Sequence, residues 1–239
     1  MATNTGKSIA KAGLNIGAIK LRPDNPFQWA SGYRMPIYND NRMFLFYPEY
    51  RSLVRQGFLR LILEQEHLSP EVIAGTSTAG IPWGMLIADR MERPFIYIRD
   101  KPKDHGLKNQ IEGIDAEKDL QGKGVIVIED LISTGGSSAR AVQAVRDANG
   151  KCSLCFSIFD YGLDEAGMIF RGEKDYDKEG NKLSEPCNVR SLLVYQTLLE
   201  VAKETNCLTR EQIELLEEWR ADPYNWGEKH GFPKVEKGK

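Results

Sequence analysis

The stretch VIVIEDLISTGGSS, from Val125 to Ser138, decides the fold of this chain. Four β-prone apolar residues, Val125 to Ile128, predict a buried strand. Two carboxylates follow, Glu129 and Asp130, and then Leu131 and Ile132 lead into a loop of Ser133, Thr134, Gly135 and Gly136. Ser137 and Ser138 open a stretch of helical period that reaches Asn149. Glycine lets the backbone curl so that successive N–H groups point inward, and the hydroxyls stand at a helix N-terminus, which together favour a phosphate. The loop is neither the Walker A string, since no Gly-Lys-Ser/Thr follows, nor the dinucleotide fingerprint GxGxxG. Glu129 and Asp130 stand where a sugar attached to that phosphate would lie, able to accept from two ribose hydroxyls and to favour positive charge on the ring. A strand ending in a solvated acidic turn is the plainer alternative, but the ordered string as a whole points to a site.

Outward from this unit, short apolar runs at Val72 to Ala74, Phe95 to Ile98, Leu154 to Phe159 and Val189 to Val194 predict further strands. Helical spacing covers Pro48 to Gln65, Ile81 to Met91 and Asp164 to Phe170. Strands alternating with helices imply an α/β fold with a parallel sheet. The N-terminal residues break this rhythm, because Pro23, Pro26, Gly32 and Pro36 punctuate aromatic pieces, and they are expected to form a hood over residues 1–46. A core is expected over 47–225. Thr209 followed by Gln212 predicts a capping box opening a last helix through Arg220. Residues 226–239, rich in Gly, Lys and Glu, read as a poorly ordered tail.

Composition narrows the partners. The 239 residues carry 32 Lys plus Arg against 34 Asp plus Glu, a net charge of -2, which gives no global attraction to nucleic acid or an anionic membrane. No run approaches the ~18 apolar residues of a membrane span. Four cysteines and no signal-like apolar stretch point to a reducing cytoplasm. Cys152 and Cys155 form a CxxC, but in a strand these positions face opposite sides, and no second pair completes a zinc set. His67 and His230 read as surface residues.

Two further segments carry chemistry. FIYIRDKPKDHGLKNQIEG, Phe95 to Gly113, takes a strand into a loop with Arg99, Lys101, Lys103 and His105. A polyanionic leaving group needs such cations, and Gly106 and Gly113 would let the loop close as a lid; a solvated basic loop is the plainer reading. AGTSTAGIPWG, Ala74 to Gly84, places small and hydroxyl residues between a strand and a helix, a second anion-friendly loop.

The Glu-Asp and Ser-Thr-Gly-Gly string resembles the PRPP-binding (phosphoribosyl pyrophosphate) motif of type I phosphoribosyltransferases. With the Lys-Asp-His-Gly loop and the hood string NPFQWASGYRMPIYNDNR, Asn25 to Arg42, the chain is similar to the orotate phosphoribosyltransferase family. The resemblance implies the type I fold with an N-terminal hood and the transfer of phosphoribose from PRPP to orotate. It implies PRPP contacts from Arg99, Lys101, Lys103, His105, Glu129, Asp130, Leu131, Ile132, Ser133, Thr134, Gly135, Gly136 and Ser137, with Lys103, His105 and Asp130 catalytic. Thr76, Ser77, Thr78 and Ala79 become a pyrophosphate loop, and Ser133, Ala30 and Tyr38 candidate orotate contacts. Mg²⁺ would enter with PRPP, without a dedicated set of protein ligands. The resemblance further implies a homodimer whose basic loop reaches the partner's site. Many relatives carry lysine where Ala79 stands, and here backbone donors or Lys101 would share that load; many also carry lysine where Ala30 stands and arginine where Asp160-Tyr161 stands, differences that read as those of a shorter bacterial branch. A phosphoribosyltransferase for another base, and a PRPP-sensing regulator, stay open as alternatives.

Overall fold

The computed structural model describes residues 4–29, 31–65, 69–100, 110–115 and 120–235. The chain divides into two compact units, one joining residues up to Tyr50 with those from Leu193 onward, the other running from Arg51 to Leu192. Residues 193–225, expected in the core, thus group with the N-terminal segment.

In the first unit, α1 (Asn4–Ile16) buries Ile9, Ala10 and Ala12. β1 (Ile19–Leu21), β2 (Phe27–Gln28), β3 (Arg34–Met35) and β4 (Ile37–Asn39) form two antiparallel pairs, β1 with β4 and β2 with β3. A 3-10 turn (Asn41–Phe46) leads into α2 (Pro48–Leu63), which crosses into the second unit.

The second unit carries the sheet. It contains β5 (Val72–Thr76), α3 (Gly80–Met91), β6 (Phe95–Ile98), β7 (Ile111–Glu112), β8 (Gly124–Ile132), α4 (Gly136–Asp147), β9 (Lys151–Asp160), α5 (Asp164–Phe170) and β10 (Asn188–Val194). Strand order is β10-β9-β8-β5-β6-β7; β9, β8, β5 and β6 run parallel and β7 is antiparallel to β6. From β5 the chain crosses through α3 to β6 on one side, whereas from β8 it crosses through α4 to β9 on the other. The order therefore reverses between β5 and β8, and open α/β sheets bind ligands in the crevice at the carboxyl ends of such a pair.

β8 is longer than its apolar run predicts. Glu129, Leu131 and Ile132 pair with Ser157, Phe159 and Asp160, so the acidic pair lies within the strand, not in the loop after it. The CxxC reading also needs correction. The register slips by one residue between the Gly124–Lys151 and Ile126–Leu154 pairs, so β9 carries an extra residue and its alternation resets. Cys152 and Cys155 both enter the apolar layer that Val72 and Ala74 of β5, Val125 and Val127 of β8, and Ala141, Val142 and Val145 of α4 build, and Cys187 joins them.

After β10 come α6 (Tyr195–Glu204), α7 (Arg210–Ala221) and α8 (Trp226–Lys229). Thr209 and Gln212 make the reciprocal capping box that the sequence predicts for α7. The stretch from Trp226, expected as a poorly ordered tail, is instead held: Trp226 is 1% exposed and stacks with Phe232, and the Val235 amide donates to the Gly32 carbonyl at 2.9 Å. Only residues 236–239 of that tail lie outside the described residues. Among the described residues no helix is long and apolar enough to cross a membrane.

Candidate active site

A cavity of about 280 Å³ opens where β5 and β8 end. Thr76, Ser77, Thr78 and Ala79 line it from the end of β5, Arg99 from the end of β6, Glu129, Asp130 and Leu131 from β8, Ser133 from the following loop and Ser137 from α4. Two loops and a strand that lie far apart in sequence are thus brought to one wall.

Local chemistry explains the shape of the phosphate loop. Gly135 caps α4 with φ 85°, in the left-handed region, and a Cβ there would stand 3.1 Å from Phe170 and 3.2 Å from Ala166. Only glycine meets both demands cheaply. The 12-residue α4 then presents free amides and its positive dipole end to the Ser133–Ser137 loop. On the other loop, Gly80 opens α3, where a Cβ would sit 2.4 Å from both the Ile128 carbonyl and Thr76 Oγ1. A side chain would push α3 off β8 and open the crevice.

The acidic pair is not symmetric. Glu129 is only 7% exposed. Its Oε1 accepts from Thr76 Oγ1 at 2.8 Å and from the Asp130 amide at 2.9 Å, and its Oε2 accepts from Ser138 Oγ at 3.0 Å. Burial first, and then the charge of Asp130, push its carboxyl up to about 8; the donors from Thr76 and the Asp130 amide offset part of that rise. Asp130 is half-buried on the cavity wall.

Arg99 has a partner, since its guanidinium lies 3.5 Å from Glu112, and its amide and carbonyl bond to Gln110. The sequence reading missed Arg140, which lines the cavity from α4. Its position one helical turn after Ser137 was the available signal. Thr134, Gly135 and Gly136 shape the loop, while buried Ile132 faces a second cavity of about 600 Å³ beside α5, which also contains Asp160, Asp164 and Arg171. Arg171 is bound by Glu173 at 2.7 Å. Tyr38 belongs to the other unit, where its ring lies 5.7 Å from that of Phe27. Lys101, Lys103, His105, Ala30 and His67 lie outside the described residues.

Among the described residues no group of three or more His, Cys, Asp or Glu side chains is placed to hold a metal ion. The hydroxyls, amides and arginines of the cavity suit the phosphate groups of a magnesium-bound polyanion, on whose oxygens a cation would arrive.

Comparisons with known proteins agree with this geometry. A family model described as "Phosphoribosyl transferase domain" matches residues 55–178, which include every described residue lining the cavity. The orotate phosphoribosyltransferase of Cytophaga hutchinsonii is 42% identical over 223 residues, covering 93% of this chain and 99% of that protein. That of Streptococcus pneumoniae is 45% identical over 222 residues, covering 93% and 98%. The crystal structure of orotate phosphoribosyltransferase from Aeropyrum pernix superposes with a TM-score of 0.65 at 24% identity, over 84% of this chain and 99% of the other, and shares the fold. With such identity over nearly the whole length of its relatives, and with a type I phosphoribosyltransferase fold built around the cavity, the chain belongs to the orotate phosphoribosyltransferase family.

Proposed function

We propose that the cavity between β5 and β8 binds PRPP, and that the enzyme transfers its phosphoribosyl group to orotate, giving orotidine 5'-monophosphate and pyrophosphate. The observation that carries this reading is the convergence of a glycine-capped hydroxyl loop at a helix N-terminus, the Asp130 carboxylate and the Thr76–Ala79 loop on one cavity. The α4 amides with Ser133, Thr134 and Ser137 hold the 5'-phosphate. Asp130 accepts from ribose hydroxyls. Amides of the Thr76–Ala79 loop, with Arg99, receive the departing pyrophosphate, and Lys101, Lys103 and His105 add charge there. Ser133 is the base contact within this unit.

Bond breaking at the ribose C1 carbon runs ahead of attack by a ring nitrogen of orotate, which arrives as an anion. The residues therefore neutralise and orient more than they move protons. Mg²⁺ would be held on the oxygens of PRPP rather than by a set of protein ligands, and there would add to the neutralisation of the leaving group. The same reading makes the enzyme a cytoplasmic homodimer in which the loop after Arg99, carrying Lys101, Lys103 and His105, serves the partner's site.

Following orotate consumption spectrophotometrically with PRPP and Mg²⁺ tests the assignment: orotate should turn over faster than adenine, hypoxanthine or uracil, and equal rates would sink it. The shared site is tested by mixing Lys103→Ala and Asp130→Asn subunits. Random exchange makes about half the dimers mixed, each with one intact site, so activity should return to roughly a quarter of wild type. Confirmed exchange with no recovery would refute sharing.

A further inference from the structure

Two arginines line the cavity between β5 and β8, and they come from different walls. Arg99 stands just past the end of β6, with Glu112 3.5 Å away and its backbone bonded to Gln110. Arg140 stands on α4, which opens at Gly136, so it begins the second turn of that helix. It follows Ser137 by three residues, and the two share one helical face. Both line the cavity, whereas Ser138, Ala139 and Val142 beside them are buried beneath the helix. Helical side chains lean toward the N-terminus of their own helix, so a long side chain at Arg140 covers the first turn of α4 and lies over the 133–137 loop.

Nothing within the helix favours a cation there. The N-terminal end of α4 carries positive partial charge, which repels a guanidinium beside it. Among the described residues no carboxylate forms an ion pair with Arg140 to offset that repulsion. Asp177 is held below the usual carboxylate range by Asn181 first and only last by the charge of Arg140. Its oxygens serve its own loop: Oδ1 accepts from the Glu179 amide at 3.2 Å and the Asn181 amide at 3.0 Å, and Oδ2 from Asn181 Nδ2 at 2.9 Å. An anion arriving at the 133–137 loop reverses the balance, because the helix dipole, the amides and the guanidinium then all attract it. We propose that Arg140 is a ligand of the 5'-phosphate of PRPP, closing over the group that the 133–137 loop and the α4 amides hold. A phosphate monoester carries a charge of about −1.5 to −2 at pH 7, more than the roughly +0.5 of a helix terminus balances, and the planar guanidinium fork matches two of its oxygens. Arg99 stands instead with the 76–79 loop, at the end that receives pyrophosphate. The two arginines thus divide the two phosphate ends of one substrate between them.

The inference rests on the PRPP reading of the cavity, and its test takes the two ends of PRPP apart. Calorimetric titration of the full chain with ribose 5-phosphate, and separately with Mg²⁺-pyrophosphate, gives Kd for wild type, Arg140→Gln and Arg140→Lys. Arg140→Gln should weaken ribose 5-phosphate about tenfold, ~1.4 kcal/mol, and leave pyrophosphate within about twofold of wild type. Arg140→Lys keeps the charge and loses the fork, so its affinity for ribose 5-phosphate should fall between the other two. Raising the ionic strength should weaken ribose 5-phosphate more in wild type than in Arg140→Gln, since the contact removed is one between charges. Affinity of Arg140→Gln for ribose 5-phosphate within about twofold of wild type, equal losses for both ligands, or a loss confined to pyrophosphate would each overturn the proposal. Wild type that binds neither ligand would overturn the PRPP reading as well, whereas wild type that binds both while Arg140→Gln changes nothing sinks this inference alone.

Discussion

Replacing Glu129 by Gln should flatten the pH dependence of folding stability. In the folded chain the carboxyl is pushed from its ordinary 4.5 up to about 8, by burial first and by Asp130 second. Between those values the unfolded chain has released a proton that the folded chain still holds. Stability attributable to Glu129 is therefore fully present below about pH 4.5 and is lost as pH rises through about 8. At ~1.4 kcal/mol per decade, the span corresponds to a few kcal/mol, a large share of the ~5–15 kcal/mol typical of a domain. Burial of the group at 7% exposure leaves little solvent to screen it. Glutamine keeps the shape and cannot ionise, so the stability gap between wild type and Glu129→Gln isolates this group from the cysteines and surface carboxylates that titrate in both. Urea unfolding at pH 5, 6, 7, 8 and 9 measures the gap. Wild type should lose ground to the variant steadily as pH rises. Parallel stability curves over the whole range would show that Glu129 is not held protonated in the fold.

Three other perturbations probe separate parts of the structure. Asp130→Asn should lower kcat/KM for PRPP by more than about tenfold with the fold intact, and a change under about threefold would remove it from the ribose site. Gly135→Ala should cost about 1–3 kcal/mol and weaken PRPP binding, because alanine is strained at φ 85° and would crowd Phe170; thermal melts and PRPP titration together check it, and an unchanged melting temperature would contradict the loop geometry. Trp226→Ala should destabilise by about 3–5 kcal/mol, as expected for emptying a buried aromatic site. A surface-like effect under about 0.5 kcal/mol on urea unfolding would return residues 226–235 to a loosely attached tail.

Local pattern alone specified the parallel sheet, the strand-loop-helix unit from Val125 onward, the helix opening at Thr209 and the small-residue loop Thr76–Ala79. These features depend on nearest neighbours: apolar runs, glycine where a turn needs it, and a side chain that caps three residues on. Other features depended on what stands across the sheet. The acidic pair became part of β8 because Ser157, Phe159 and Asp160 offered it partners, and a one-residue slip beside Lys151 buried both cysteines of the CxxC together. Trp226 was ordered by packing against Phe232, 6.2 Å away, which a Gly- and Lys-rich composition does not reveal. Sequence proximity made Glu129 and Asp130 look equivalent. Tertiary structure distinguished them, because Thr76 and Ser138, 53 and 9 residues away, donate to the oxygens of buried Glu129, while Asp130 is half-buried. A composition or spacing can name which groups are available; only the fold sets which of them are brought together and hydrogen-bonded.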